Sequence, residues 1–263
     1  MEGTGLQMIY VNFILIGWDS KGKHMMGRLH ISLDDVKGIF KVLAKGSVNS
    51  IFETRTLAFL NKMHELYGTQ VYLFCTYRDG NFSLEKVCEK YIEEFKNNQD
   101  WLKFGFHCYD ENIIYNGDNL NDFQRQFDMF QKQIKRITGQ RSDVDALRIH
   151  SFECNLLNCR YLREKGVKVL FTADDNRKSY YLNAIQMEQL KKKGYYYDEN
   201  EDLMFVRSCT RLEINVDIIS EIENYKNISN SMISVFTHEW QMDREDVRKR
   251  FELCCRWEGE MSG

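Results

Sequence analysis

From residue 28 onward, apolar runs of five to seven residues alternate with longer segments of helical periodicity. Consecutive strands separated by helices are joined by crossovers, and crossovers make parallel neighbours. The order therefore predicts an α/β fold built on a parallel sheet or barrel. Seven runs rich in Val, Ile, Phe and Tyr read as strands: Leu29–Leu33, Gln70–Thr76, Leu102–Cys108, Ala146–Ser151, Val167–Thr172, Leu203–Cys209 and Met232–Thr237. Between them, Ser50 and Glu53 form a capping-box pattern that opens a helix running to Tyr67, with Gly68 as its stop. Further helices are expected over 83–96, 121–137, 153–165, 184–193, 216–225 and 243–257. The polar stretch from Tyr195 to Asp202 interrupts the alternation and reads as a hairpin or surface insertion.

The chain of 263 residues contains no proline, so its turns rest on Gly, Asn and Asp. Thirty-six basic against 39 acidic residues give a net charge of -3, which excludes a broad basic field for nucleic acid or an anionic membrane. Eight cysteines without a C-x-x-C ladder, mostly inside apolar runs, suit reduced core thiols in the cytoplasm. The apolar run from Leu6 to Trp18 lacks a basic flank and is too short to span a bilayer, so neither an export signal nor membrane insertion is expected. Met25 and Met26 stand just before the first strand and are candidate translation starts. Residues 1–27 are read as a segment of uncertain status and 28–263 as one barrel domain.

In parallel α/β folds the loops leaving the carboxyl ends of strands carry function. Those ends hold Asp34 and Asp35 on the first strand, His107 with Asp110 and Glu111 on the third, Arg148 and His150 on the fourth, Asp174 and Asp175 on the fifth, and His238, Glu239 and Trp240 on the last. His30 and His64 lie inside elements and read as structural. Three imidazoles gathered with an Asp-Asp pair point instead to a site. Arg207, Arg211 and Glu213 share a spacing that suits a surface charge ladder, with lining of the same mouth as the alternative.

In this order the motifs resemble the polysaccharide deacetylases of carbohydrate esterase family 4. Ser32-Leu33-Asp34-Asp35 is similar to the family's Thr-Phe-Asp-Asp strand end. His107-Cys108-Tyr109-Asp110-Glu111 resembles His-[Ser/Thr]-x-x-His, with Glu at the second ligand position. Arg148-Ile149-His150 resembles Arg-x-Pro-Tyr, with His150 in the proline position and no tyrosine. Thr172-Ala173-Asp174-Asp175 resembles the later acidic motif, and Phe236-Thr237-His238 the closing Leu-x-His. The resemblance implies a distorted seven-stranded (β/α) barrel and a divalent metal ion. It implies Asp34 as general base, Asp35 and His107 as ligands, and His238 as general acid, with Arg148 orienting Asp34 and Asp174 as a further catalytic acid residue.

A divalent ion supplies what acetamide hydrolysis needs at neutral pH, an acidified water and a polarised carbonyl. The third ligand is either Glu111, which shares a face with His107 if their loop turns helically, or His150. Spacing favours Glu111. Either the ion is a harder one such as Mn²⁺ or Fe²⁺, or His150 supplies the missing imidazole with Glu111 behind it; Zn²⁺, Mn²⁺ and Fe²⁺ all stay open. Tyr109 and Trp240 are candidate platforms for a sugar's apolar face. The expected activity is metal-dependent removal of N-acetyl groups from a carbohydrate or surface-polysaccharide precursor, with metal-bound water as nucleophile. The alternative is an inactive barrel serving carbohydrate binding or polysaccharide assembly.

Overall fold

The computed structural model describes residues 29–117, 120–140, 145–228 and 233–262. The N-terminal segment with its two candidate start methionines, and Met232 at the head of the last expected strand, lie outside them. The first part of the chain gives β1 (Leu29–Val36), α1 (Gly38–Ala44), α2 (Arg55–Tyr67), β2 (Val71–Thr76), β3 (Arg78–Asp79), β4 (Phe82–Ser83), α3 (Ile92–Asn97) and β5 (Leu102–Cys108). Then come α4 (Leu120–Thr138), β6 (Ala146–Leu147), α5 (Leu156–Glu164), β7 (Val169–Thr172), α6 (Ala184–Lys193) and β8 (Tyr195–Asp198). The chain closes with β9 (Leu203–Arg211), α7 (Ile218–Ile228), β10 (Ile233–His238) and α8 (Glu245–Ser262).

The main sheet runs β5-β2-β1-β10-β9-β7-β6, so each strand lies beside its neighbour in the chain order of the barrel. Every pairing along this path is parallel. The seven form a nearly closed (β/α) barrel. β8 pairs antiparallel with the first half of β9, so the 195–202 stretch is a hairpin, as its polar turn residues require. β10 takes over beside β9 from Ser208.

Among the described residues no ladder joins β5 to β6, and the barrel has a seam there. Side chains fill it. A Cβ on Gly105 would stand 2.8 Å from both Leu147 and Phe74, so glycine on β5 makes room for them.

β1 is buried at every position, as a strand covered on both faces must be. Its alternation sends Leu29, Ile31 and Leu33 one way and His30, Ser32 and Asp34 the other. The second set meets Arg148 and Ser234, and Arg148 also donates to Ser208, so the barrel interior carries a polar layer. His30 sits in it as a structural histidine, 4.0 Å from the Phe171 ring and 4.4 Å from Tyr72. His64 also has a structural place, stacked on Trp101 at 4.6 Å.

The capping box at Ser50 and Glu53 is present, but it caps a 3-10 turn over Ile51–Glu53 before α2 begins. Two expectations need correction. The helix read over 83–96 is mostly two 3-10 turns, with α3 confined to Ile92–Asn97 and the short β3–β4 hairpin before it. The strand read over 146–151 stops at Leu147, because Ser151 and Phe152 take left-handed backbone angles in a 3-10 turn over His150–Phe152. Among the described residues no helix is long and apolar enough to cross a membrane.

Candidate active site

Two adjacent aspartates on a regular strand would point to opposite faces. Here the β1–β2 register passes from Leu33 opposite Leu73 to Val36 opposite Cys75, three steps against two, which makes a bulge at Asp34 and Asp35. Asp35 takes the left-handed conformation, φ 54°. The bulge lets both carboxyls serve the mouth of the barrel.

Asp35 Oδ1 lies 3.2 Å from Nε2 of His107 on β5 and 3.5 Å from Nδ1 of His150 beyond β6. The two ring nitrogens are 3.3 Å apart. The other nitrogen of His107, Nδ1, stands 2.6 Å from the backbone carbonyl oxygen of Arg148. A carbonyl only accepts, so in the neutral ring Nδ1 carries the proton and Nε2 presents a lone pair.

Asp35 Oδ1 is itself buried and receives no aligned hydrogen bond. A carboxylate oxygen and two imidazole nitrogens turned toward one point suit a cation. Ligands bound at about 2.0–2.1 Å in a tetrahedral site are about 3.3–3.4 Å apart, which is the spacing of this triangle. Asp35, His107 and His150 thus fit a divalent ion.

Arg148 follows β6 and is wholly buried. Its Nη1 donates to Asp34 Oδ1 at 2.9 Å and to Ser32 Oγ at 2.7 Å, while Nη2 donates to Ser208 Oγ at 3.1 Å and Ser234 Oγ at 3.0 Å. Its face lies 4.1 Å from the Phe236 ring centroid. Fixed from both sides, the guanidinium holds Asp34 in one orientation. Across the mouth, His238 Nδ1 lies 2.7 Å from Glu213 Oε1, and Thr237 Oγ1 donates to Glu213 Oε2 at 2.7 Å. His238 Nε2 is thereby turned toward Asp35, 3.9 Å from Oδ2. Trp240, 60% exposed, stacks 5.8 Å from the His238 ring.

No protein-family model matches the chain, and no curated protein matches it. Solved structures match it in shape. A 4-alpha-glucanotransferase from Thermococcus litoralis, 12% identical, aligns over 87% of this chain and 38% of its own with a TM-score of 0.53. The fold is a distorted seven-stranded (β/α) barrel. A carbohydrate esterase family 4 pseudoenzyme from Bacillus anthracis is also similar, at 7% identity and TM-score 0.49 over 90% of this chain and 62% of that one. A peptidoglycan N-acetylglucosamine deacetylase matches at 10% identity and TM-score 0.45, over 93% and 86% of the two chains. This barrel spans less than two thirds of the length of the pseudoenzyme structures it matches, 62–64%.

The barrel brings Asp34, Asp35, His107, Arg148, His150 and His238 to one mouth, with Trp240 beside His238, and gives Glu111, Asp174 and Tyr109 other partners. Glu111 is not in the triangle, because its carboxylate pairs with the Lys37 ammonium and accepts from Thr76 Oγ1 at 3.4 Å. The segment after Cys108 is a turn, with Ile113 N–H bonded to Asp110 O at 3.0 Å, so residues 107 and 111 do not share a helical face. Asp174 is paired with Arg211, whose Nε donates to its Oδ2 at 2.8 Å. Tyr109 is packed on Tyr77, ring centroids 4.8 Å apart, rather than presented as an open platform. The ladder reading of Arg207, Arg211 and Glu213 gives way as well: Arg211 binds Asp174, and Glu213 backs His238.

Glu239 is a further residue the sequence reading left without a role. It is buried, and its carboxylate accepts from the backbone amides of Lys37, Gly38 and Ile39 at 2.5–2.8 Å, tying the exit of β10 to the exit of β1. Tyr180 braces the His150 turn in a similar way, its amide bonded to Phe152 O at 2.6 Å and its hydroxyl donating to Phe171 O at 2.8 Å. Of the five non-glycine residues with positive φ among the described residues, Asp35, Ser151, Phe152 and Tyr180 belong to the site or its braces.

The charges at the mouth reinforce one another. Burial would raise the Asp35 carboxyl, yet the His107 and His150 rings hold it far below the ordinary carboxylate range. Burial lowers His107, but Asp34 and Asp35 bring it above the ordinary imidazole value. His238 is likewise lowered by burial and raised on balance by Glu213 and Asp34. Glu213 is raised by burial and brought below its ordinary value by His238 and Thr237.

Proposed function

We propose that the chain is a divergent relative of the polysaccharide deacetylases of carbohydrate esterase family 4 and removes N-acetyl groups from a carbohydrate. The observation that carries this reading is the triangle of Asp35, His107 and His150 flanked on one side by Asp34 on Arg148 and on the other by His238 on Glu213. It supplies a base and an acid on either side of one cation site.

A divalent ion held by the triangle would acidify water and polarise the acetamide carbonyl. Asp34 takes the proton from the attacking water, and Arg148 keeps that carboxylate aimed as it does so. His238 gives a proton to the amide nitrogen as the C–N bond breaks, leaving acetate and a free amine. Glu213 steadies the imidazolium before the transfer. Trp240 offers an exposed ring beside the acid, suited to the apolar face of a sugar. A donor set of two imidazoles and one carboxylate favours Zn²⁺ among the ions considered. All eight cysteines are free, which supports action in the reducing cytoplasm on a polysaccharide precursor.

Metal content and acetate release test the reading together. Protein incubated with Zn²⁺, Mn²⁺ or Fe²⁺ should retain about one equivalent, and the Asp35→Ala/His107→Ala double variant should retain none. Equal metal in both sinks the proposal. Metal retention without acetate release from any acetylated amino sugar or oligosaccharide makes the barrel a carbohydrate-binding module instead.

A further inference from the structure

A cleft of about 710 Å³ lies outside the barrel, between α6, the loop after β7 and Arg207 of β9. Its charge does not balance. Two carboxylates line it, Asp175 and Glu188, and each already has a cation: Arg177 donates to Asp175 at 2.6–2.9 Å, and Lys192 lies 3.5 Å from Glu188. Three cations also line it, Lys178, Lys191 and Arg207, and none pairs with a carboxylate among the described residues. Arg207 is half-buried and oriented, because Nη2 donates to the backbone carbonyl of Asp174 at 2.8 Å. The rest of its planar fork has no other side-chain hydrogen bond among the described residues. Unneutralised positive charge in a concave, partly desolvated surface raises the local concentration of anions, and an oriented guanidinium matches an oxyanion in two-pronged fashion.

We propose that this cleft binds a phosphate group, held by Arg207 at the wall and by Lys178 and Lys191 at the rim. Two sources share that chemistry: a phosphate carried by a sugar substrate, and a free phosphate or diphosphate acting as an effector. Ala173 connects the cleft to the mouth. It lines the cleft and also packs with Phe152 beside His150 and with Phe236, whose ring is 6.0 Å from His238. Occupation of the cleft therefore bears on the wall behind the candidate acid and ligand.

Titration calorimetry of the full chain with inorganic pyrophosphate, in metal-free buffer, tests the site without relying on hydrolysis. One molecule should bind, Arg207→Gln should weaken it at least about tenfold, and Lys178→Gln/Lys191→Gln should weaken it by a similar factor. Asp35→Asn should bind as tightly as wild type, which separates this cleft from the cation site. The lysine pair is exposed, so its replacement keeps the test valid if Arg207→Gln misfolds. No heat of binding up to about 10 mM, or binding unchanged in both cleft variants, overturns the proposal. An N-acetylated sugar 1-phosphate that binds more tightly than pyrophosphate and still depends on Arg207 marks a substrate anchor; equal affinity marks an effector site. Neither result depends on the deacetylase reading, which fails or stands on metal retention.

Discussion

A Cβ placed on Gly38 would stand 2.9 Å from Oε1 of Glu239, because that carboxylate lies against the backbone at the start of α1. Gly38 leaves room for an acid that arrives from the far end of the sequence. The pair joins the strand end bearing Asp34 and Asp35 to the one bearing His238. It therefore fixes the base, one ligand and the acid relative to one another.

Replacing Glu239 by Gln turns an amide NH₂ toward backbone donors and removes the charge from three hydrogen bonds. The expected loss is about 2–3 kcal/mol in urea denaturation. Gly38→Ala should also destabilise, through the close contact with the carboxylate. Variants as stable as wild type would mean the contact contributes nothing.

Arg148→Met strands Asp34 as a buried charge and leaves three serine hydroxyls without their donor. A cost of about 3–5 kcal/mol is expected. Adding Asp34→Asn should recover part of it, since the uncompensated charge is gone. Fully additive losses in the double variant would show that the two residues do not act as a pair.

His150→Ala should weaken Zn²⁺ binding by at least about tenfold in competition with a chelator, whereas Glu111→Gln should leave it within about twofold. The reverse order would restore Glu111 as the third ligand.

Glu213 and His238 set a pH window. The depressed Glu213 contributes stability that is present above its ordinary value of about 4.3 and is lost as pH falls through its folded value. The raised His238 contributes stability that is full below about 6.5 and is lost as pH rises through its folded value. Both contributions are complete only between these limits. In metal-free protein the urea midpoint should fall from pH 6 to pH 9, and Glu213→Gln should fall less. Parallel slopes for the two proteins would count against the pair.

Trp240→Ala removes an exposed ring and should change stability by less than about 0.5 kcal/mol. Affinity for an acetylated oligosaccharide should drop, read by intrinsic binding assays on the metal-loaded protein. Unchanged affinity would remove Trp240 from the sugar contact.

Much of this architecture was legible in the order of residues. Seven apolar runs separated by helical segments suffice for a parallel barrel, and the bounds of β5 are legible to the residue because Leu102, Phe104, Phe106 and Cys108 alternate along one face. α1 escaped notice because it is only seven residues long and has no side-chain cap. The site was legible as strand ends and less so as contacts. Glu111 matched a ligand by spacing, but spacing places two side chains on one face only where the backbone is helical, and the turn at Asp110 is not. Glu213 looked like one charge among several, because its partner His238 lies on the neighbouring strand and strand pairing is not written in local sequence. The basic residue that reaches Asp174 was equally hidden, since Arg211 approaches it across the sheet.

The gap between β5 and β6 changes what an ion would do for the molecule. Asp35 and His107 stand on one side of it and His150 on the other, and the hydrogen bond from His107 to the Arg148 carbonyl and the contact between the His107 and His150 rings clasp the two lips near the mouth. Loading the triangle would act as a rivet through an open hoop. Amide exchange along Leu102–Cys108 and Ala146–Leu147 should slow on metal addition more than exchange in β1 or β10, so the same three side chains that serve chemistry would also decide whether the ring stays shut.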